Sequence, residues 1–94
     1  MFEWDEAKSE ANLKARGFDF AHAAGVFDGP VIEIDDTRSD YGERRVQAIG
    51  KIGSDILFVV CTWRGDVRRI ISARLANRKE RNIHGKVFGG TGTP

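Results

Sequence analysis

A single cysteine, Cys61, in 94 residues leaves no internal disulfide and too few thiols for a cysteine-rich zinc site. The two histidines, His22 and His84, stand far apart and share no ligand spacing with a carboxylate pair. No apolar run approaches the roughly 18 residues needed to cross a bilayer, which argues against a membrane partner. The opening Met1-Phe2-Glu3-Trp4-Asp5 is acidic and aromatic, unlike a signal peptide, so the chain is expected in the cytoplasm. There is no Gly-x-Gly-x-x-Gly, no Walker loop, no Gly-x-Ser-x-Gly elbow around Ser72 and no internal repeat. No cofactor is implied.

What remains is a chain with 40% apolar and 31% charged residues, the balance of a small soluble domain. One domain is expected over residues 1–84, followed by a glycine-rich, flexible tail at 85–94. The net charge of +1 conceals an asymmetry. Residues 1–50 hold 6 Lys/Arg against 11 Asp/Glu, whereas residues 51–94 hold 9 against 3. The basic half suggests an anionic partner, and arginine dominates it, a side chain whose planar fork grips phosphate.

Asp5 caps a first helix in which Ala7, Ala11 and Ala15 recur on one face, and Gly17 stops it. Asp19 caps a second, with Phe20, Ala23, Ala24 and Phe27 at helical spacing up to Asp28-Gly29-Pro30. Both helices are narrow and suited to close packing on a sheet. Strands are expected at Phe2–Trp4, 31–35, 44–52, 56–64 and 67–74, and a last helix from about Leu75 to His84. The run Ile56 to Cys61 is the most apolar, and Cys61 there reads as a small buried hydrophobe. The order implies an α+β fold, an antiparallel meander of four to five strands with its helices on one face.

Strict alternation along residues 67–74 puts Arg68, Ile70, Ser72 and Arg74 on one face. Arg64 and Arg74 end successive strands, which in a tight hairpin lie at opposite ends and oppose a two-arginine clamp. Arg74, Arg78 and Arg81 would instead form a strip for successive phosphates if helix began early. Trp4, Trp63 or Tyr41 could stack a base, although Trp4 also suits a core anchor. The loop carrying Asp35, Asp36, Asp40 and Glu43 could hold a hard cation or simply be solvated.

Further residues carry a resemblance. Phe2-Glu3-Trp4-Asp5 with Lys8 and Asn12-Leu13, then Gly17-Phe18-Asp19-Phe20 and Ala23 to Asp28, are similar to the opening of the BrnT toxins. Gly42-Glu43-Arg44 and Arg69-Ile70-Ile71-Ser72-Ala73-Arg74, with Ala76, Arg78, Glu80 and Arg81, resemble that family's second half. The likeness covers roughly residues 2–83 in order.

The resemblance implies a RelE-like fold and a toxin that cuts RNA without a metal, inhibiting translation. It also implies a BrnA-like ribbon-helix-helix antitoxin, a 2:2 complex, and operator DNA bound through that antitoxin. Arg64, Arg74, Arg78 and Glu80 are the expected catalytic positions, with Trp4, Arg44, Ser72 and Arg81 contacting RNA. Arg44 is preferred to Arg45 on the family match. For proton transfer the candidates are Glu43, Glu80 and His84. Family members often carry Lys-His-Gly where this chain has Ala15-Arg16-Gly17, and tyrosine near Ile83. A chain lacking those groups would cut slowly or act as a nucleic-acid-binding co-repressor partner.

Overall fold

The structure is a computed structural model and describes residues 1–37 and 42–89. Strand β1 (Phe2–Trp4) leads into helix α1 (Glu6–Arg16) and the short α2 (Phe20–Ala23), which continues as a 3-10 turn, Ala24–Asp28. Strands β2 (Val31–Asp36), β3 (Arg45–Ile52), β4 (Asp55–Arg64) and β5 (Val67–Leu75) follow, and helix α3 (Arg78–Phe88) closes the order. The strands form one five-stranded sheet in the order β1-β5-β4-β3-β2. Strands β2 to β5 are the expected antiparallel meander, but β1 pairs parallel to β5, so the sheet is mixed. That direction lets Phe2 and Trp4 join the core while Glu3 meets Arg69, its register partner, at 3.0 Å.

The two faces bury separate apolar sets. Ala48, Leu57, Val59, Ile70 and Ala73 pack under Phe20, Ala23, Ala24 and Val26. Ile49, Phe58 and Val60 lie on the other face with Ile32, Ile56, Ile71 and Ile83 of α3. The helices therefore cover both faces, where one was expected. The unbroken apolar run in β4 has its physical reason here, because a strand buried on both sides has no polar face to alternate with.

A register shift separates the halves of β5. Val60 pairs with Ser72 and Cys61 with Ile70, which leaves Ile71 without an opposite residue. Such a bulge resets the alternation of side chains. Arg68 and Ile70 consequently face α1 and α2, whereas Ser72 and Arg74 face the α3 side, correcting the single stripe read from strict alternation.

Two helix readings also change. In α1 the buried residues are Ser9 and Asn12, and Ala7, Ala11 and Ala15 are exposed. Ser9 Oγ accepts from the Phe20 N–H at 3.0 Å and Asn12 Nδ2 donates to the Phe18 carbonyl at 2.9 Å. Polar groups that satisfy the turn into α2 thus outrank the alanine stripe. Helix α3 starts at Arg78 and ends at Phe88, later than expected at both ends, because β5 runs on to Leu75 and Asn77 forms a capping box with Glu80.

Gly50 lets the 3-10 turn approach β3, since a Cβ there would lie 2.7 Å from Val26 Cβ. Gly50→Ala should destabilise the protein by about 1–3 kcal/mol through overpacking. Urea unfolding checks this, and an unchanged midpoint would contradict the contact.

Candidate functional site

Side chains on the α3 face line up in rows across the sheet, set by the strand register. One row is Asp36, Arg45, Thr62, Arg69 and Glu3, each the partner of the next. Next come Ile34, Gln47, Val60 and Ser72, then Ile32, Ile49, Phe58 and Arg74. Helix α3 covers the third row through Ile83. The first two rows carry Arg45, Arg69, Gln47 and the exposed Ser72, so the face beside α3 is polar and rich in arginine.

Arg74 sits where the covered and open parts meet. Its guanidinium carbon lies 4.2 Å from the Phe58 ring centroid, a cation–π contact that holds the group flat. Nη1 and Nη2 donate to the two Glu80 carboxylate oxygens at 2.8 and 2.9 Å, and Nη1 also donates to the Leu75 carbonyl at 3.2 Å. Three of the five N–H donors are then used. The remaining two, on Nε and Nη2, lie on one side of the plane and form a second fork, with no hydrogen-bond partner among the described residues. A fork of this geometry matches two phosphate oxygens. The side chain keeps 37% of its surface exposed.

Glu80 is fixed by the same arrangement. It accepts from Arg74 and from the Asn77 N–H at 2.9 Å, and only 13% of its side chain is exposed. A carboxylate whose two oxygens are both taken up by fixed N–H donors suits an orienting role.

The other sequence-predicted residues disperse. Arg64 shares the face of Arg74 but lies six residues further along β4 than Phe58, about 20 Å away. Arg78 and Arg81 are exposed on α3, so Arg74 on β5 does not extend a helical strip. Arg81 Nη1 donates to the Ala76 carbonyl at 2.9 Å. Arg44 precedes β3 and turns to Asp35 at 2.9 Å, whereas Arg45 is the residue that joins the sheet face and pairs with Glu43. Trp4 packs into the core on the opposite side. Tyr41 and Asp40 fall outside the described residues.

Arg69 and Arg45 stand on this face although neither is among the expected site residues, and Arg16 adjoins it. Strict alternation puts Arg69 on the face opposite Arg74, and only the bulge brings them to the same side. Arg16 Nη1 donates to Asn12 Oδ1 at 2.9 Å and to the Ala73 carbonyl at 3.2 Å. It therefore caps the strand one residue before Arg74, at the stretch of β5 that β1 leaves unpaired. Ile83 contacts the cluster containing Phe58, on which Arg74 stacks. Both positions of departure from the resembled pattern thus adjoin the Arg74 site.

On the first face, Arg68 lies 4.0 Å above Phe27 and 4.3 Å from Trp63 while pairing with Glu33 at 2.8 Å. Burial pushes the Cys61 thiol up, partly offset by Arg68 at 3.5 Å, so this cysteine is a packed hydrophobe. Among the described residues no three His, Cys, Asp or Glu side chains converge on a metal position.

A small mixed sheet with an arginine-rich face and an open guanidinium fork is suited to holding phosphate groups. A family model described as the ribonuclease toxin, BrnT, of type II toxin–antitoxin systems matches residues 4–80, and the chain belongs to that family. Membership implies a toxin function and an antitoxin partner. No curated protein matches the chain.

His84 lies on the side of α3 that faces Lys51 and Ile56. Burial, with Lys51 adding to it, lowers its pKa from the usual 6.5. Arg81 lines the same opening. The unfolded chain therefore takes up this proton at about pH 6.5 while folded His84 stays neutral, so stability falls as pH drops below that value. Above it the effect vanishes. Thermal unfolding at pH 7.5 and 5.5 should show a smaller acid loss in His84→Gln than in the wild type; equal losses would contradict the assignment.

Proposed function

We propose that the chain is a metal-independent endoribonuclease toxin that cuts RNA at the Arg74 site and so inhibits translation in the cytoplasm. The observation that carries this reading is the second fork of Arg74. In the reaction the 2′-hydroxyl gives up its proton to water as its oxygen attacks the adjacent phosphorus, and the bond to the 5′-oxygen breaks as that oxygen takes a proton from water, leaving a 2′,3′-cyclic phosphate and a 5′-hydroxyl; negative charge builds on the phosphoryl oxygens on the way. Arg74 Nε–H and Nη2–H meet that charge where it develops. Glu80 and Phe58 hold the guanidinium in position beforehand, which spares the transition state the cost of ordering it. Arg69, Arg45 and Arg64 attract neighbouring phosphates, and Ser72 hydrogen-bonds the backbone beside them. Arg78 and Arg81 extend the contact along α3, and Arg44 adds charge at its far rim.

A ribbon-helix-helix antitoxin of the BrnA type fits the charge asymmetry, its basic segment meeting the acidic first half of the chain. A 2:2 complex that reaches operator DNA through the antitoxin follows from the same resemblance, as does kinship with RelE.

A second reading rests on positions 16 and 83. Arginine at 16 offers N–H donors and no acceptor to take up a proton, and isoleucine at 83 has no proton to transfer. A site so equipped stabilises charge well and shuttles protons poorly, which favours slow cleavage or a co-repressor role.

RNA cleavage by the purified chain in EDTA separates these readings. Wild type should cut, and Arg74→Ala should lose about 100- to 1000-fold in rate, the usual loss of one charge-stabilising donor. Induced alone, wild type should arrest growth and Arg74→Ala should not. Cleavage by both proteins alike would place the site elsewhere; binding by wild type without cleavage would favour the co-repressor.

A further inference from the structure

Between the two arginine-bearing rows of the α3 face runs an uncharged one, Ile34, Gln47, Val60 and Ser72. Arg45 and Arg69 lie on one side of it, and Arg74 on its Phe58 ring lies on the other. Those arginines are paired with Glu43, Glu3 and Glu80, and Thr62 Oγ1 donates to the Arg44 carbonyl. The Gln47 amide, by contrast, has no hydrogen-bond partner among the described residues. It is open to solvent as well, because His84 Nε2 is the only side-chain N or O atom among them that is both buried and unpaired. Directly opposite Gln47 stands Ile34, with 42% of its surface exposed. Gln47 is also the diagonal neighbour of Phe58, about 7–8 Å away across the ladder, and so adjoins the ring on which the Arg74 guanidinium rests.

We propose that Gln47 reads a base of the RNA beside the phosphate held by Arg74, and so sets the sequence preference of cleavage. The inference rests on the ribonuclease reading and adds a specificity-determining residue to it. The chemistry of the face singles Gln47 out. A guanidinium offers five donors and no acceptor, so Arg45, Arg69 and Arg74 hold phosphates whatever the sequence. The Ser72 hydroxyl turns freely and fixes no pattern. A carboxamide holds an acceptor and two donors in one plane, and the base edges it could meet are open in single-stranded RNA. In one orientation it matches adenine or cytosine, where an amino group lies beside a ring acceptor. Turned over, it matches guanine or uracil, where a carbonyl lies beside a ring N–H. It cannot serve both pairs at once, which is what makes it selective. The exposed Ile34 gives the base an apolar surface next to the amide. An uncharged lane bordered by arginines thus suits a nucleotide chain, with a base in the lane and phosphates at its edges.

The test measures kcat/KM of the full chain in EDTA on oligonucleotides with one ribonucleotide, differing only in the base on either side of the scissile phosphate. At one of those positions wild type should separate adenine from guanine by about tenfold, the discrimination of one bidentate pair. Gln47→Leu keeps the size and removes the donor–acceptor pattern, so that ratio should fall to about one. Gln47→Glu presents two acceptors and should favour guanine, whose N1–H and N2–H₂ are adjacent donors. Its added negative charge acts on every substrate alike, so the ratio isolates base reading. In nitrogen-15-labelled wild type, an uncleavable 2′-deoxy-substituted oligonucleotide carrying the preferred base should shift the Gln47 side-chain amide more than one carrying the disfavoured base. Should Gln47→Leu fail to fold, Gln47→Glu and the wild-type amide signal carry the test. Cleavage that ignores the base, or a preference that survives Gln47→Leu with a silent Gln47 amide, overturns the inference and leaves the ribonuclease reading standing. A base-dependent shift of Gln47 with no cleavage of any RNA keeps the base contact and overturns the ribonuclease reading.

Discussion

The extra residue at Ile71 decides what this sheet can present. Without it, Arg74 would point with Arg68 toward α1 and α2, into a face already filled by Phe20, Val26 and Val59. With it, Arg74 turns to the other side, beside Arg69 and Ser72 and within reach of Glu80 on the helix that follows. The two apolar sets of β4 stay intact because the bulge lies in β5 and lets the strand change phase without breaking the ladder. Local backbone irregularity and the placement of charge are here one fact.

Arginines on this protein are heavily paired, and the pairing explains which of them can act. Arg68 is enclosed by Phe27, Trp63, Glu33 and Cys61, and only 12% of its side chain is exposed, which makes it a structural clamp. Arg44 is bound to Asp35 on an exposed surface, where such pairs contribute little. Arg74 differs because its partner takes the end of the guanidinium and leaves the side. The carboxylate orients the group and still permits a second anion to approach. That arrangement gives a phosphate two charge-assisted hydrogen bonds from a donor already held in place.

Much of this was legible in the chain itself. Asp5, Gly17 and Asp19 mark the helix ends by their capping chemistry, and the strand order follows from the turns at Gly53 and Gly65. The family, too, shows in short motifs at both ends of the domain. What escaped was non-local. No pattern in residues 67–75 announces a bulge, since Arg-Arg-Ile-Ile-Ser-Ala-Arg alternates equally well in either phase. The direction of β1 depends on where Phe2 and Trp4 can be buried, which three residues cannot encode alone. Asn77 and Glu80 did carry a helix-start signal at the right spacing, and it marks the later boundary. The part Arg16 plays beside Ala73 arises from contacts 57 positions apart in sequence.

In the proposed site the open side of Arg74 receives a phosphate while Glu80 holds the other end. The direct measurement is the Arg74 Nε–H resonance during titration with an uncleavable oligoribonucleotide, in wild type and in Glu80→Gln. That proton should shift markedly in wild type at saturation, with weaker binding and a smaller shift in Glu80→Gln. A silent Arg74 Nε–H, with shifts confined to Arg64 and Arg78, would contradict it.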